Sequence, residues 1–262
     1  MTTAPQESEK LHEMPFLEHF RELRRRLIYI VVVLFIGLLA CFTVAGKIYD
    51  WLAIPIFDAL PETNKNLVFL DPLEPFFVYL KLSLLAALFV SSPFIFYQIY
   101  RFVAPALYRK ERRWILPATA FSSLIFVAGA AFCYYVVLPL GLGTLIKFGL
   151  DNTQDLVPQI SMAFYYSLVI KLMLAFGLIF ETPVFAVILA RLGLITRKSL
   201  TKHWRGAVVG IFILAAVLTP PDAITQILLA LPMILLYGVS ILLVGLVQKR
   251  ELVEEVEEVE GT

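Results

Sequence analysis

Apolar positions come in long runs, and polar ones interrupt them only at intervals. Residues 27–46, 82–100, 114–146 and 223–248 each contain no Asp, Glu, Lys or Arg. A bilayer core of about 30 Å takes roughly 20 apolar residues in a helix, so these runs read as membrane spans. In hydrocarbon no water is available to the backbone, so each span is predicted to be a helix. Six spans are predicted: Leu27 to Val44, Phe76 to Tyr100, Trp114 to Leu138, Ile160 to Leu192, Gly206 to Leu218 and Ala223 to Val247. The chain then divides into an N-terminal segment 1–26, a membrane domain 27–247 and an acidic tail 248–262. The fold class is an all-α polytopic membrane protein.

Two spans stand out by length. The fifth has 13 apolar residues before Pro220-Pro221, or about 20 Å of helix. The fourth is long and carries Pro183, which predicts a kink. The first run follows Arg24-Arg25-Arg26 and could pass for a signal peptide. It is too long for a signal core and more spans follow, so it is expected to stay as the first span. The link 47–75 holds Pro55, Pro61, Pro72 and Pro75, and a connection of that length predicts an ordered cap. The tail from Glu251 is expected to be a solvated, frayed extension of the last helix.

Composition agrees with the pattern. The chain is 60% hydrophobic and 16% charged, against about 45–50% and 25% for soluble domains. That excludes a soluble globule, a disordered chain and a nucleic-acid-coating protein. The net charge is only +1, but the basic residues are segregated. Seventeen of the 22 Lys and Arg lie before span one, between spans two and three, between spans four and five, or in the tail. The alternate links hold only Lys47, Lys65 and Lys147, with acids such as Asp50, Asp58, Glu62, Asp71 and Glu74. The bias places both termini in the cytoplasm. Cys41 and Cys133 each lie alone in an apolar run, and neither a disulfide nor a metal site is expected.

A few polar residues are out of place. Glu181 lies inside span four, with nine residues between it and the nearest basic neighbour on either side. A carboxylate at that depth costs about 3 kcal/mol on insertion scales, so it should face the bundle interior or a wet cavity. It either anchors structure, through Thr182 or backbone freed by Pro183, or serves a ligand, a proton or a partner. Lys171, ten residues earlier, is expected on roughly the same side, snorkelling outward. Glu22 and Glu111 sit inside Arg-rich stretches. They balance local charge or offer a carboxylate to a cationic ligand, which arginine can meet with a planar fork. Thr219-Pro220-Pro221-Asp222 is a rigid turn in which Asp222 can cap the next helix. Gln226 beyond it suits an interhelix hydrogen bond, internal or with a partner helix.

Several stretches, in this order on six spans, carry a resemblance over about Phe16 to Val247. They are His19-Phe20-Arg21-Glu22-Leu23-Arg24-Arg25-Arg26-Leu27, Tyr97-Gln98 with Ala104-Pro105-Ala106-Leu107-Tyr108 to Glu111-Arg112-Arg113, Phe180-Glu181-Thr182-Pro183-Val184, and Leu218-Thr219-Pro220-Pro221-Asp222. Together they resemble the TatC family, the multispanning subunit of the twin-arginine protein translocase. The resemblance implies a cupped bundle of six helices with the last two spans short. It implies a receptor for twin-arginine signal peptides in the cytoplasmic (inner) membrane. Such a receptor exports folded proteins on the proton-motive force, in a hetero-oligomer of several copies with the single-span subunits TatA and TatB. By the same resemblance, Glu22, Glu111, Arg24 and Phe102 contact the signal peptide. Glu181 is the intramembrane acid, and Thr219 and Gln226 meet partner helices. Lys171 departs from the family pattern.

Physics adds one supporting point. A face rich in Lys and Arg repels cationic peptides, and carboxylates such as Glu22 and Glu111 are what it needs to bind paired arginines. The rival reading is a proton-coupled secondary transporter using Glu181, although the two halves match poorly as inverted repeats. No ATP-binding loop, catalytic triad or metal cluster is legible, so neither an enzyme nor a cofactor is expected.

Overall fold

The computed structural model describes residues 16–61, 65–103, 115–152, 159–218 and 223–260. Helix α1 (Phe16–Phe42) leads into a shorter α2 (Ala45–Ala59). Strand β1 (Leu67–Val68) precedes α3 (Glu74–Val103). Helix α4 (Ile115–Phe132) continues through a π-helical turn at Cys133–Val137 into α5 (Leu138–Asn152). Strand β2 (Ile160–Ser161) opens α6 (Met162–Phe180), and α7 (Thr182–Arg191) follows. The rest is α8 (Arg197–Lys202), α9 (Trp204–Leu218) and α10 (Ala223–Glu260).

Five helical runs are long and apolar enough to cross a membrane: Phe20–Phe42, Glu74–Phe102, Leu116–Gly149, Met162–Arg191 and Thr225–Lys249. Helix α9, with 15 residues, reaches about 22 Å and is the short one. The expectation that both last spans are short is therefore corrected. The last of the five runs, at 25 residues, is of full length, because Pro232 is absorbed inside α10 and no breaker separates the apolar run from the Glu-Val tail. That tail is helical to Glu260. The fourth span bends where expected, with α6 ending at Phe180 and Pro183 in the first turn of α7.

The link 47–75 is largely ordered, as its prolines suggested. Pro55 lies inside α2 and lacks an N–H, so the carbonyl of Trp51 loses its helical partner. The Tyr134 hydroxyl donates to that carbonyl at 2.6 Å, and its ring stacks on Trp51 with centroids 4.2 Å apart. Tyr165 donates to Leu52 O at 2.6 Å and Tyr166 to Tyr49 O at 2.9 Å. Three buried hydroxyls thus hold α2 down on spans three and four. The two short strands pair in parallel, Leu67 with Ile160 and Val68 with Ser161, joining the two links at this capped end.

Spans three and four approach closely through a pair of glycines. A Cβ at Gly129 would lie 2.6 Å from Phe176 O, and one at Gly177 would lie 2.7 Å from the Phe126 ring. Small residues at such crossings let helix backbones come together where lipid offers no hydrophobic drive.

Candidate functional site

The end of the bundle opposite the cap carries the basic residues. Here α1 begins with alternating charge, and α3 ends beside it. Glu22 lies one turn before Arg26 on α1, the favoured order for a helical ion pair. Arg26 Nε donates to Glu22 Oε1 at 3.1 Å, and Nη2 donates to the same oxygen. Arg26 Nη1 donates across to Gln98 Oε1 on α3 at 3.0 Å. Arg26 and Gln98 are buried, with 8% and 7% of their surface exposed. Arg24 is exposed on α1, and Phe102 is half-buried one turn beyond Gln98. Glu22, Arg24 and Phe102 therefore belong to one end of the α1–α3 pair. Glu111 lies outside the described residues.

Arg26 and Gln98 lie in stretches that carry the family resemblance, but neither is among the predicted site residues. The spacing of four between Glu22 and Arg26 is the sequence signal of their pair. Gln98 is an amide in the charge-free run 82–100, which is a signal of an interhelix bond in hindsight.

Glu181 sits at the hinge between α6 and α7. Its backbone closes α6 with φ −73° and ψ −13°, and its carbonyl accepts from Phe185 N at 2.9 Å. Its side chain is fully buried, at 0% exposure, so it faces the bundle interior as expected. The carboxylate does not cap α7. Among the described residues neither of its oxygens has a hydrogen-bond partner. The Ser122 hydroxyl is its nearest polar neighbour and can donate toward the carboxyl while accepting from the Tyr100 hydroxyl. The structural anchor through Thr182 or freed backbone is thus not what the side chain does.

Lys171 is exposed while Glu181 is buried, so the shared side expected for them is corrected. Ten residues turn a helix through about 1000°, roughly 80° short of three turns. Gln226 is half-buried, and its Nε2 donates to Phe212 O on α9 at 3.0 Å, so its amide makes an internal contact. Thr219 and the Pro220-Pro221-Asp222 turn lie outside the described residues.

Comparison with known proteins bears on the whole arrangement. The family profile described as "Sec-independent protein translocase protein (TatC)" matches residues 18–232. The protein named Sec-independent protein translocase protein TatC from Campylobacter jejuni is 42% identical over 226 residues, 86% of this chain and 91% of that one. Its namesake from Aquifex aeolicus is 40% identical over 239 residues, 91% of this chain and 98% of that one. The one from Escherichia coli K12 is 37% identical over 227 residues, covering 87% and 86%. A crystal structure of the twin arginine translocase receptor TatC superposes with a TM-score of 0.78 at 39% identity, covering 88% of this chain and 99% of that one. With the profile spanning most of the chain and a helical fold in common, the chain belongs to the TatC family of Sec-independent protein translocase proteins.

Proposed function

We propose that this chain is the signal-peptide receptor and core subunit of a twin-arginine translocase. It spans the cytoplasmic (inner) membrane six times, with both termini in the cytoplasm. It binds twin-arginine peptides of folded cargo and works with TatA and TatB in a hetero-oligomer of several copies. The proton-motive force, rather than catalysis by this chain, drives transport. Family membership supports the class of function. The observation that carries the binding site is a glutamate, Glu22, seated among arginines at the basic end of α1. A carboxylate in that setting answers a cationic ligand that the surrounding charge would otherwise turn away. Glu111, with the same sequence setting, is its proposed companion, and Arg24 and Phe102 border the surface. Thr219 and Gln226 remain candidate partner-helix contacts. The internal bond of Gln226 leaves such a contact to the outward side of its amide or to an exchange of partners.

The test is peptide binding. Glu22→Ala and Glu111→Ala should each weaken a twin-arginine peptide by roughly ten- to a hundredfold, the worth of a charge-assisted bond. Glu111→Asp should lose less than Glu111→Ala, and Glu111→Gln should behave like Ala. Unchanged affinity in both alanine variants would return the two residues to charge balance. The buried, unpartnered Glu181 keeps a second reading open, a proton-coupled transporter. Such a protein should not distinguish an Arg-Arg peptide from a Lys-Lys one.

A further inference from the structure

Glu22 does not meet a ligand as an isolated anion. Arg26 places a guanidinium against it, and both of that group's bonds converge on Oε1. The third bond, from Nη1 to Gln98 Oε1 at 3.0 Å, anchors the guanidinium on α3. Because the guanidinium is planar and its donors are fixed, Gln98 on one edge determines how the other edge holds Glu22. The burial of Arg26 and Gln98 leaves that fork little freedom to turn. Gln98 also lies one turn before Phe102 on α3, so the chain Glu22–Arg26–Gln98 sets the register of the two helices that border the site.

The pairing has an electrostatic consequence. With Arg26 beside it, Glu22 has little net charge to offer at a distance. A lysine, which is a compact point charge, gains mostly from such a field. An arginine gains from a correctly aimed oxygen that its planar fork can meet.

We propose that Arg26, held by Gln98, is a positioning residue that sets Glu22 to receive a peptide guanidinium through Oε2 and makes the site prefer arginine over lysine. The proposal rests on Glu22 as a signal-peptide contact. Arg26 touches no ligand in this scheme; it acts through Glu22.

The experiment uses the full chain in lipid nanodiscs and two peptides differing only in Arg-Arg or Lys-Lys. Arg26→Gln should lower Arg-Arg affinity about three- to tenfold, the loss of a well-placed polar contact, with less loss or a gain for Lys-Lys. The Arg/Lys ratio should therefore narrow. Gln98→Ala should narrow it in the same direction by a smaller factor. Placed in the Glu22→Ala background, Gln98→Ala should cause no further change, because its effect passes through Glu22. Arg26→Lys guards against misfolding: it keeps the charge, lacks the fork needed to span Glu22 and Gln98, and should also narrow the ratio. An unchanged ratio in Arg26→Lys and Gln98→Ala, with Glu22→Ala still defective, would overturn the proposal alone. An additive loss in the Gln98→Ala, Glu22→Ala double variant would do so too. Unchanged affinity in Glu22→Ala would instead remove the binding reading, and this proposal with it.

Discussion

Glu74 and Glu181 are both buried carboxylates, at 9% and 0% exposure, and their surroundings differ completely. Glu74 stands at the capped end. Its carboxylate accepts from Leu70 N at 2.8 Å, from Ser161 Oγ at 2.9 Å and from Ala163 N. Two of those donors belong to the start of α6, where exposed N–H groups and the helix dipole favour an anion. The group ties the start of α3 to the turn after β1, to β2 and to α6, beneath the same cap that the tyrosines hold. Glu181 lies in the middle of the fourth span, and among the described residues no donor reaches it in full hydrogen-bond geometry, the Ser122 hydroxyl being the nearest. Buried polar groups are nearly always satisfied, and an ionisable residue inside a span is a functional-site hypothesis by default. The contrast is one of satisfaction: Glu74 accepts from three donors at the cap, whereas Glu181 has none in full hydrogen-bond geometry among the described residues.

Stability measurements can break that comparison, and the largest effect should come at the cap. Glu74→Ala strands the Leu70 and Ala163 amides and the Ser161 hydroxyl. It should lower the thermal midpoint of the detergent-solubilised protein more than any other single change considered. Glu74→Gln keeps an acceptor, loses the charge and should fall between. Gly129→Ala comes next. Its Cβ meets backbone, 2.6 Å from Phe176 O, so spans three and four must part at a cost of about 1–3 kcal/mol. Tyr165→Phe removes one hydroxyl from the cap, 2.6 Å from Leu52 O, and should cost about 1 kcal/mol. A Glu74→Ala protein as stable as wild type would mean that the cap is not the scaffold.

How much of this was legible follows the same division. Runs without charge located the helices, because hydrocarbon leaves the backbone only one arrangement. Pro183 located the bend in span four, and the prolines of 47–75 pointed to order in that link. The pattern did not reveal that a tyrosine in span three would take up the carbonyl that Pro55 frees. That match spans 83 residues of sequence, and aromatic residues in an apolar run look alike whether they face lipid or a partner. Glu181 announced itself because a lone carboxylate in a span is costly wherever it points. Arg26 did not, since one arginine among four at a basic end looks like topology. The shared side expected for Lys171 and Glu181 failed on rotation, because an 80° error over three turns carries a side chain from the interior to the surface.

The smallest effect on stability should come from Glu181 itself, and this separates the remaining readings of the membrane centre. Removing a buried carboxyl that makes no well-formed hydrogen bond relieves a desolvation cost that offsets the cavity left behind. Glu181→Ala should therefore unfold at or above the wild-type midpoint, opposite in sign to Glu74→Ala. It should also keep its affinity for a twin-arginine peptide, because Glu22, Arg26 and Gln98 are untouched. If the carboxyl receives the peptide's apolar segment or a partner helix, the defect comes later, as lost crosslinking to span four at matched protein levels. Glu181→Gln then reports which form of the group works. A carboxyl that acts while neutral is partly replaced by an amide, whereas one that acts as an anion is not. A midpoint that falls as far as in Glu74→Ala would make Glu181 part of the scaffold after all. Wild-type crosslinking and transport in Glu181→Ala would remove it from the mechanism.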